Sequence, residues 1–239
     1  MTDLASTHAL AVEGLAPTNA DPRSRRPFEC FEGALHESGL RLDRCIKSGV
    51  QVDDQWSRWM TITLYHAPNS RSFGSLLLLE ELGISYNLHV LNLKAGEQRR
   101  PEYLQINPMG KVPALRDGGS LITEQVAIFI HLADRFPELG LAPALGEPQR
   151  GPYLRWLVYY AARFEPAVVD RALKREPGPK AMEPYGDFET MLNTITNQIR
   201  SGPYLLGERF SAADILWATG LMWTRALTFY RTCRVFRIL

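Results

Sequence analysis

Hydrophobic and polar positions change their period twice along this chain. Residues 1–58 sustain neither a helical nor a strand period: Pro17, Pro22 and Pro27 are interspersed with Arg23, Arg25 and Arg26, and only 28–46 could hold a short helix. Such a segment has little apolar surface with which to offset its ordering entropy. Order is expected from Met60, where "MTITLYHAP" places Ile62, Leu64 and β-branched threonines in a short buried strand ended by Pro68.

Strand and helix patterns then alternate. Residues 72–82 read as a helix, apolar along Phe73, Leu76, Leu77 and Leu79, closed by Gly83 as a C-cap. A second strand is expected over 86–91, and a short helix starts at Pro101, a favoured first helical position. Strands over 113–116 and 120–122 flank Asp117-Gly118-Gly119, a strong hairpin signal. Residues 124–135 read as a helix with Val126, Ile130 and Ala133 inward, ending near Pro137.

The second change comes at the Pro/Gly/Leu-rich stretch 137–148. Beyond it the periodic segments, 150–164, 184–200 and 211 onward, are all helical. A mixed region followed by helices alone predicts a small α/β unit and then an all-α domain. The expected division is an extension over 1–59, without order, an α/β domain over 60–136, a linker over 137–148 and a helical domain over 149–239.

Composition adds limits. With 239 residues, 45% apolar and 22% charged, the chain is of ordinary globular type. A formal charge of +1 gives no bulk electrostatic reason to expect nucleic acid or an acidic membrane as partner. There is no basic segment followed by an apolar one at the N-terminus, and no apolar run approaches the ~20 residues that span a bilayer, so a cytoplasmic location is expected. Cys30, Cys45 and Cys233 share no metal-ligand spacing and form no C-x-x-C pair, so no metal is expected.

The candidate chemistry starts at "NPMGKVPAL", residues 107–115, where a proline opens a strand and forfeits a ladder hydrogen bond. With "LYHAPNSRS", "LLLLEELGISY", "LITEQVAIFIHLADRF", "RWLVYYAARFEPA" and "GPYLLGERFSAADILWA", the chain resembles the cytosolic glutathione S-transferases of bacterial type, over about Met60 to Phe229. The resemblance implies a thioredoxin-like α/β N-terminal domain followed by an all-α domain, in a homodimer. It implies a glutathione transferase that activates the thiolate of glutathione, its co-substrate, for attack on a small hydrophobic electrophile. No metal or nucleotide takes part. A glutathione-dependent peroxidase, isomerase or dehalogenase, or a non-enzymatic binding module of the same shape, is the alternative.

The resemblance also assigns residues. A cis Val112-Pro113 bond would turn the Val112 backbone toward an extended peptide such as glutathione, which could pair with it as a strand would, with Lys111 beside a carboxylate. Glu124 and Gln125 stand where the family has a Glu-Ser pair that holds the γ-glutamyl end. Gln125 departs from that serine, although its amide can donate. For thiol activation, Ser70 aligns with the hydroxyl of serine-type members, Ser72 would be the helix cap, and Ser72, Asn69 or the backbone alone stay open as alternatives. His66, at a strand end, reads as a surface or hydrogen-bonded residue before a general base. Tyr153, Trp156 and Tyr160 share one helix face and could wall the electrophile pocket, with interdomain core or dimer interface as the other readings. Ser211 to Asp214 is read as a structural capping box.

Two expectations concern the ends. Residues 1–59 should be dispensable for glutathione binding. Past Phe229, "YRTCRVFRIL" replaces the further helices of the family, so the helical domain reads as cut short. The helix from Ser211 would then leave Ile215, Leu216, Leu221, Met222 and Leu227 wet, giving a weak, aggregation-prone protein.

Overall fold

Strand β1 (Ile62–His66) is the hinge of the architecture: it pairs in parallel with β2 (Tyr86–Val90) and antiparallel with β3 (Ala114–Asp117). β3 in turn pairs antiparallel with β4 (Ser120–Thr123), giving the order β2-β1-β3-β4. This computed structural model describes residues 61–226 apart from residue 177, all within the unit Val52–Leu239. The extension 1–59 and the tail that begins "YRTC" lie outside the described residues. The sheet and its helices are a thioredoxin-like domain, and an all-α domain follows it.

Alternation along β1 separates two cores. Ile62 and Leu64 enter the main core with Leu115 of β3, while Tyr65 points to the other face and packs with Leu91, Tyr103 and Ala114. Period-two side-chain geometry sorts adjacent residues in this way. Asp117 pairs with Ser120, so Gly118-Gly119 form a two-residue connection, and Gly118 has φ +55 as such hairpin turns require. Helix α1 (Ser72–Leu82) makes the crossover from β1 to β2 and ends at Gly83, φ +63.

The buried stripe of α1 differs from the expected one. Ser72, Gly74, Ser75, Leu78, Leu79 and Leu82 face inward, whereas Phe73 and Leu77 are exposed. Leu76 to Leu79 are all leucine, so pattern alone cannot orient the helix. The small residues of its first turn decide it, because only they fit between the β1 loop and the helical domain. A Cβ on Gly74 would stand 2.9 Å from Thr219 Oγ1. Ser72 is correspondingly the first residue of the helix, with Arg71 at the cap position, so the expected Ser72 cap is not formed.

After the short helix α2 (Pro101–Leu104), helix α3 (Gln125–Arg135) buries Ile128, Phe129, Leu132 and Ala133. Val126 and Ile130, expected inward, are half-buried at the edge of that core. The helix expected over 150–164 is part of a longer rod. α4 (Arg150–Tyr159) runs through a π-helical turn, Tyr160–Phe164, into α5 (Glu165–Ala172). Pro166 explains the turn: proline has no N–H and clashes with the carbonyl four residues back, and widening the helix relieves both. α6 (Phe188–Arg200) begins later than expected, where Asp187 accepts from the Thr190 amide.

The last described helix, α7 (Ala212–Ala226), packs on α1, α3 and α4. Its Trp217 sits among Trp156, Tyr160 and Phe164 and donates to the Trp156 carbonyl at 3.0 Å. Ile215, Leu216 and Leu221 are buried, and of the apolar residues expected to be wet on this helix Met222 is exposed. The expected wet face is therefore corrected at three positions: α7 runs through the middle of the core, and earlier helices cover it. Leu227 lies outside the described residues. Among the described residues no helix is long and apolar enough to cross a membrane.

Candidate functional site

Strand pairing brings three separated segments to one end of the sheet. Tyr65 pairs with Ala114, and Ala114 with Thr123. The turn after β1 (67–71), the entry to β3 (111–113) and the start of α3 (124–125) are therefore neighbours. These are the segments that hold Asn69, Ser70, Lys111, Val112, Pro113, Glu124 and Gln125.

The turn after β1 is a dense hydroxyl network. The Ser70 Oγ donates to the Ala67 carbonyl at 2.7 Å and lies 2.7 Å from the Ser72 Oγ. The Ser72 Oγ accepts from the Ala67 amide at 3.0 Å and lies 2.8 Å from His66 Nδ1. Ser72 is fully buried, but Ser70 is half-buried at the surface of the turn. Of the two hydroxyls only that of Ser70 has surface to offer a ligand. Asn69 is exposed and takes φ +56, a left-handed conformation that asparagine tolerates well. His66 is buried. Loss of water around it lowers its pKa, against a smaller opposing effect of the Ser72 backbone, so the neutral ring is favoured.

Asn107 organises the entry to β3. Its amide donates to the Lys111 carbonyl at 2.9 Å and its oxygen accepts from the Met109 amide at 3.1 Å. The Tyr103 hydroxyl donates to the same Lys111 carbonyl at 2.6 Å. Burial, and secondarily Tyr65, push Tyr103 up to about 12, so it remains a donor. The Lys111 side chain is exposed and Pro113 is buried. The Val112-Pro113 peptide is cis, and among the described residues neither backbone group of Val112 is paired with another backbone group. Sequence reasoning missed Asn107 and Tyr103. The only available signal was an asparagine four residues before the lysine whose carbonyl it holds.

At the start of α3, Glu124 is exposed and has φ +67, ψ +118. A glutamate at such φ costs of order 1–3 kcal/mol, and conformations of this kind cluster at ligand clamps. The next amides belong to the first turn of α3 and have no intrahelical acceptor. The Gln125 side chain, expected to point at a ligand, donates from Nε2 to the Arg71 carbonyl at 3.0 Å. Arg71 itself pairs with Glu165 of α5 and lies over the Trp223 ring of α7 at 5.1 Å. The turn that carries Ser70 is thus tied to α3, α5 and α7, through contacts the sequence pattern did not reveal.

The aromatic trio has another place. Tyr153, Trp156 and Tyr160 are 0%, 2% and 4% exposed and belong to the core shared by both domains, Trp156 and Tyr160 packing against Trp217. Of the readings open from the sequence, this burial agrees with interdomain core. A cavity of about 520 Å³ lies elsewhere, on the outer face of α3, lined by Ala127, Ile130, His131, Asp134 and Arg135. None of the candidate glutathione residues lines it.

Comparison with known proteins agrees with this layout. The family described as glutathione S-transferase, N-terminal domain, matches residues 60–134. The Escherichia coli O157:H7 protein named glutathione S-transferase GstA is 30% identical over 168 residues, 69% of this chain and 83% of its own. The disulfide-bond oxidoreductase YfcG of Escherichia coli K12 is 30% identical over 177 residues, 69% of this chain and 81% of its own. Among solved structures, a glutathione transferase from Methylococcus capsulatus superposes with a TM-score of 0.60 at 30% identity, covering 72% of this chain and 86% of that one. A sphingomonad glutathione S-transferase complexed with glutathione gives 0.57 at 29% identity, over 69% and 83%.

Proposed function

Because this chain belongs to the glutathione S-transferase family, we propose that it binds glutathione at this end of the sheet and transfers it to a hydrophobic electrophile. The observation that carries the reading is the convergence of the half-buried Ser70 hydroxyl, the unpaired Val112 backbone and the strained Glu124.

Each element has a physical part. The Val112 N–H and C=O take the extended peptide as a neighbouring strand would. Lys111 meets a carboxylate of the tripeptide. Glu124 takes the γ-glutamyl amine, while the first backbone amides of α3 take its carboxylate, a favourable place for an anion. The Ser70 hydroxyl turns from the Ala67 carbonyl to the sulfur and donates to the thiolate, lowering the thiol pKa toward neutrality. The thiolate then attacks an electrophilic carbon, forming a thioether and expelling a leaving group such as halide.

The test is a titration of bound glutathione by thiolate absorbance, with turnover of a chromogenic electrophile. Ser70→Ala should raise the thiol pKa and lower turnover about 10²-fold or more, with affinity for glutathione nearly unchanged. An unchanged thiol pKa in Ser70→Ala, with a shift in Ser72→Ala, would move the role to Ser72. A second reading, glutathione-dependent disulfide reduction, draws on the equal identity to YfcG, which is named as a disulfide-bond oxidoreductase. Turnover of a small glutathione disulfide without turnover of the electrophile would favour it.

A further inference from the structure

We propose that His66 is a positioning residue, which acts through Ser72 to hold the Ser70 hydroxyl as an outward donor; this rests on the reading of Ser70 above. The geometry is a chain of short contacts: His66 Nδ1 to Ser72 Oγ at 2.8 Å, Ser72 Oγ to Ser70 Oγ at 2.7 Å, and Ser70 Oγ to the Ala67 carbonyl at 2.7 Å.

Proton accounting makes the histidine tautomer decisive. The Ser72 oxygen has two lone pairs and one hydrogen. The Ala67 amide takes one lone pair at 3.0 Å. When His66 carries its proton on Nδ1, it donates to the second lone pair, and Ser72 keeps its own hydrogen for Ser70 or for the Ala67 carbonyl, 3.2 Å away. The Ser70 hydrogen can then pass from the Ala67 carbonyl to a ligand sulfur, because the Ser72 hydroxyl can take its place at that carbonyl. When the proton is on Nε2 instead, Ser72 must donate to Nδ1 or leave it unpaired. Its hydrogen is then committed to Nδ1, and turning Ser70 outward leaves the Ala67 carbonyl without a hydroxyl donor, which is unfavourable. The Nδ1-protonated form also polarises the chain in one direction, since a hydroxyl that accepts a hydrogen bond becomes a better donor.

His66 reaches this position because it is the last residue of β1, fixed by the Leu91 amide donating to its carbonyl at 2.8 Å. Its buried ring meets Ser72 and not Ser70, so no general-base role is implied.

The experiment combines side-chain nitrogen NMR of the full-length protein with thiolate titration of bound glutathione. The His66 ring should show Nδ1–H in the protein without glutathione; Nε2–H would overturn the proposal whatever the protein binds. His66→Gln carries its amide nearer the Nε2 position and removes the donor to Ser72. It should raise the bound thiol pKa by about half to one pH unit while glutathione Kd stays within about twofold. His66→Asn, whose amide nitrogen falls near Nδ1, should restore the wild-type value. Ser72→Ala should raise the thiol pKa as His66→Gln does, and the double variant should add little. Equal thiol pKa in wild type and His66→Gln, with glutathione bound by both, overturns this inference and leaves the transferase reading standing. No glutathione bound by the wild type overturns both.

Discussion

The Gln125 side-chain nitrogen donates to the Arg71 carbonyl across 3.0 Å, joining the first turn of α3 to the turn that carries Ser70. The bond links two parts of the proposed site that are 54 residues apart in sequence. It requires Gly74 beneath it, where an added Cβ would stand 2.4 Å from the same nitrogen.

Gly74→Ala should therefore displace the Gln125 amide and crowd Thr219. The expected loss is about 1–2 kcal/mol of stability, from one hydrogen bond and one tight contact. In a Gln125→Ala background the same change should cost less, since the amide is already gone. A double-mutant cycle by urea unfolding measures the coupling; strict additivity would show that the two side chains do not interact.

Gly220→Ala should be more damaging. A Cβ there would stand 2.2 Å from Tyr160 Cε2, and that ring is buried edge-on against Trp217 with centroids 5.4 Å apart. Neither ring can retreat into a close-packed core, so about 1–3 kcal/mol should be lost. Thermal unfolding should register a drop of several degrees. An unchanged Tm would mean that the rod through Tyr160 shifts more readily than its packing implies.

Asp214 holds two segments at once. Its Oδ1 accepts from the Leu205 amide at 2.7 Å, and its Oδ2 accepts from the Ser211 amide at 2.9 Å and the Ser211 hydroxyl at 2.8 Å. Half of the capping box expected from the sequence is thus formed, the carboxylate meeting the Ser211 amide. The Asp214 amide, however, donates to the Ser211 carbonyl at 3.0 Å and not to its hydroxyl. The Leu205 bond adds a tie to the preceding loop. Asp214→Ala leaves these donors unmet and should cost about 2–4 kcal/mol. Asp214→Asn keeps part of the acceptor set and should fall between. Urea midpoints of the two variants decide the order.

His66 gives stability a pH dependence. Burial, only partly opposed by the Ser72 backbone, lowers its pKa from the ordinary 6.5, so the unfolded chain binds the proton more readily. Stability from the neutral ring is fully present above about pH 6.5 and declines as pH falls through it toward the lower folded value. His66→Asn cannot titrate and should show a smaller loss between about pH 7.5 and about pH 5.5. Matching slopes for wild type and variant would remove His66 as the cause.

Much of the fold follows from short-range rules that the sequence states directly. Ile62 and Leu64 alternate with polar neighbours, Gly83 stops a helix, and Gly118-Gly119 close a hairpin; each depends on residues within a few positions of one another. The change of period near residue 137 separated a mixed domain from a helical one for the same reason. The Val112-Pro113 segment was also visible, because a proline at a strand entry is a local exception, whereas Glu124 was assigned through the family resemblance.

Tertiary structure decided everything that depends on what lies opposite. Leu76 to Leu79 are chemically alike, and only the close approach of α7 over Gly74 turned Leu78 and Leu79 inward while leaving Leu77 exposed. Ile215, Leu216 and Leu221 read as stranded because their covering residues come from α1, α3 and α4, far back along the chain. Ser70 and Ser72 have the same side chain two positions apart, yet one remains half-buried at the surface and the other is buried against His66. Gln125 reads as a ligand donor until Arg71 is found beneath it. A sequence carries side-chain chemistry and local period, whereas burial and partnership arise only when distant segments meet.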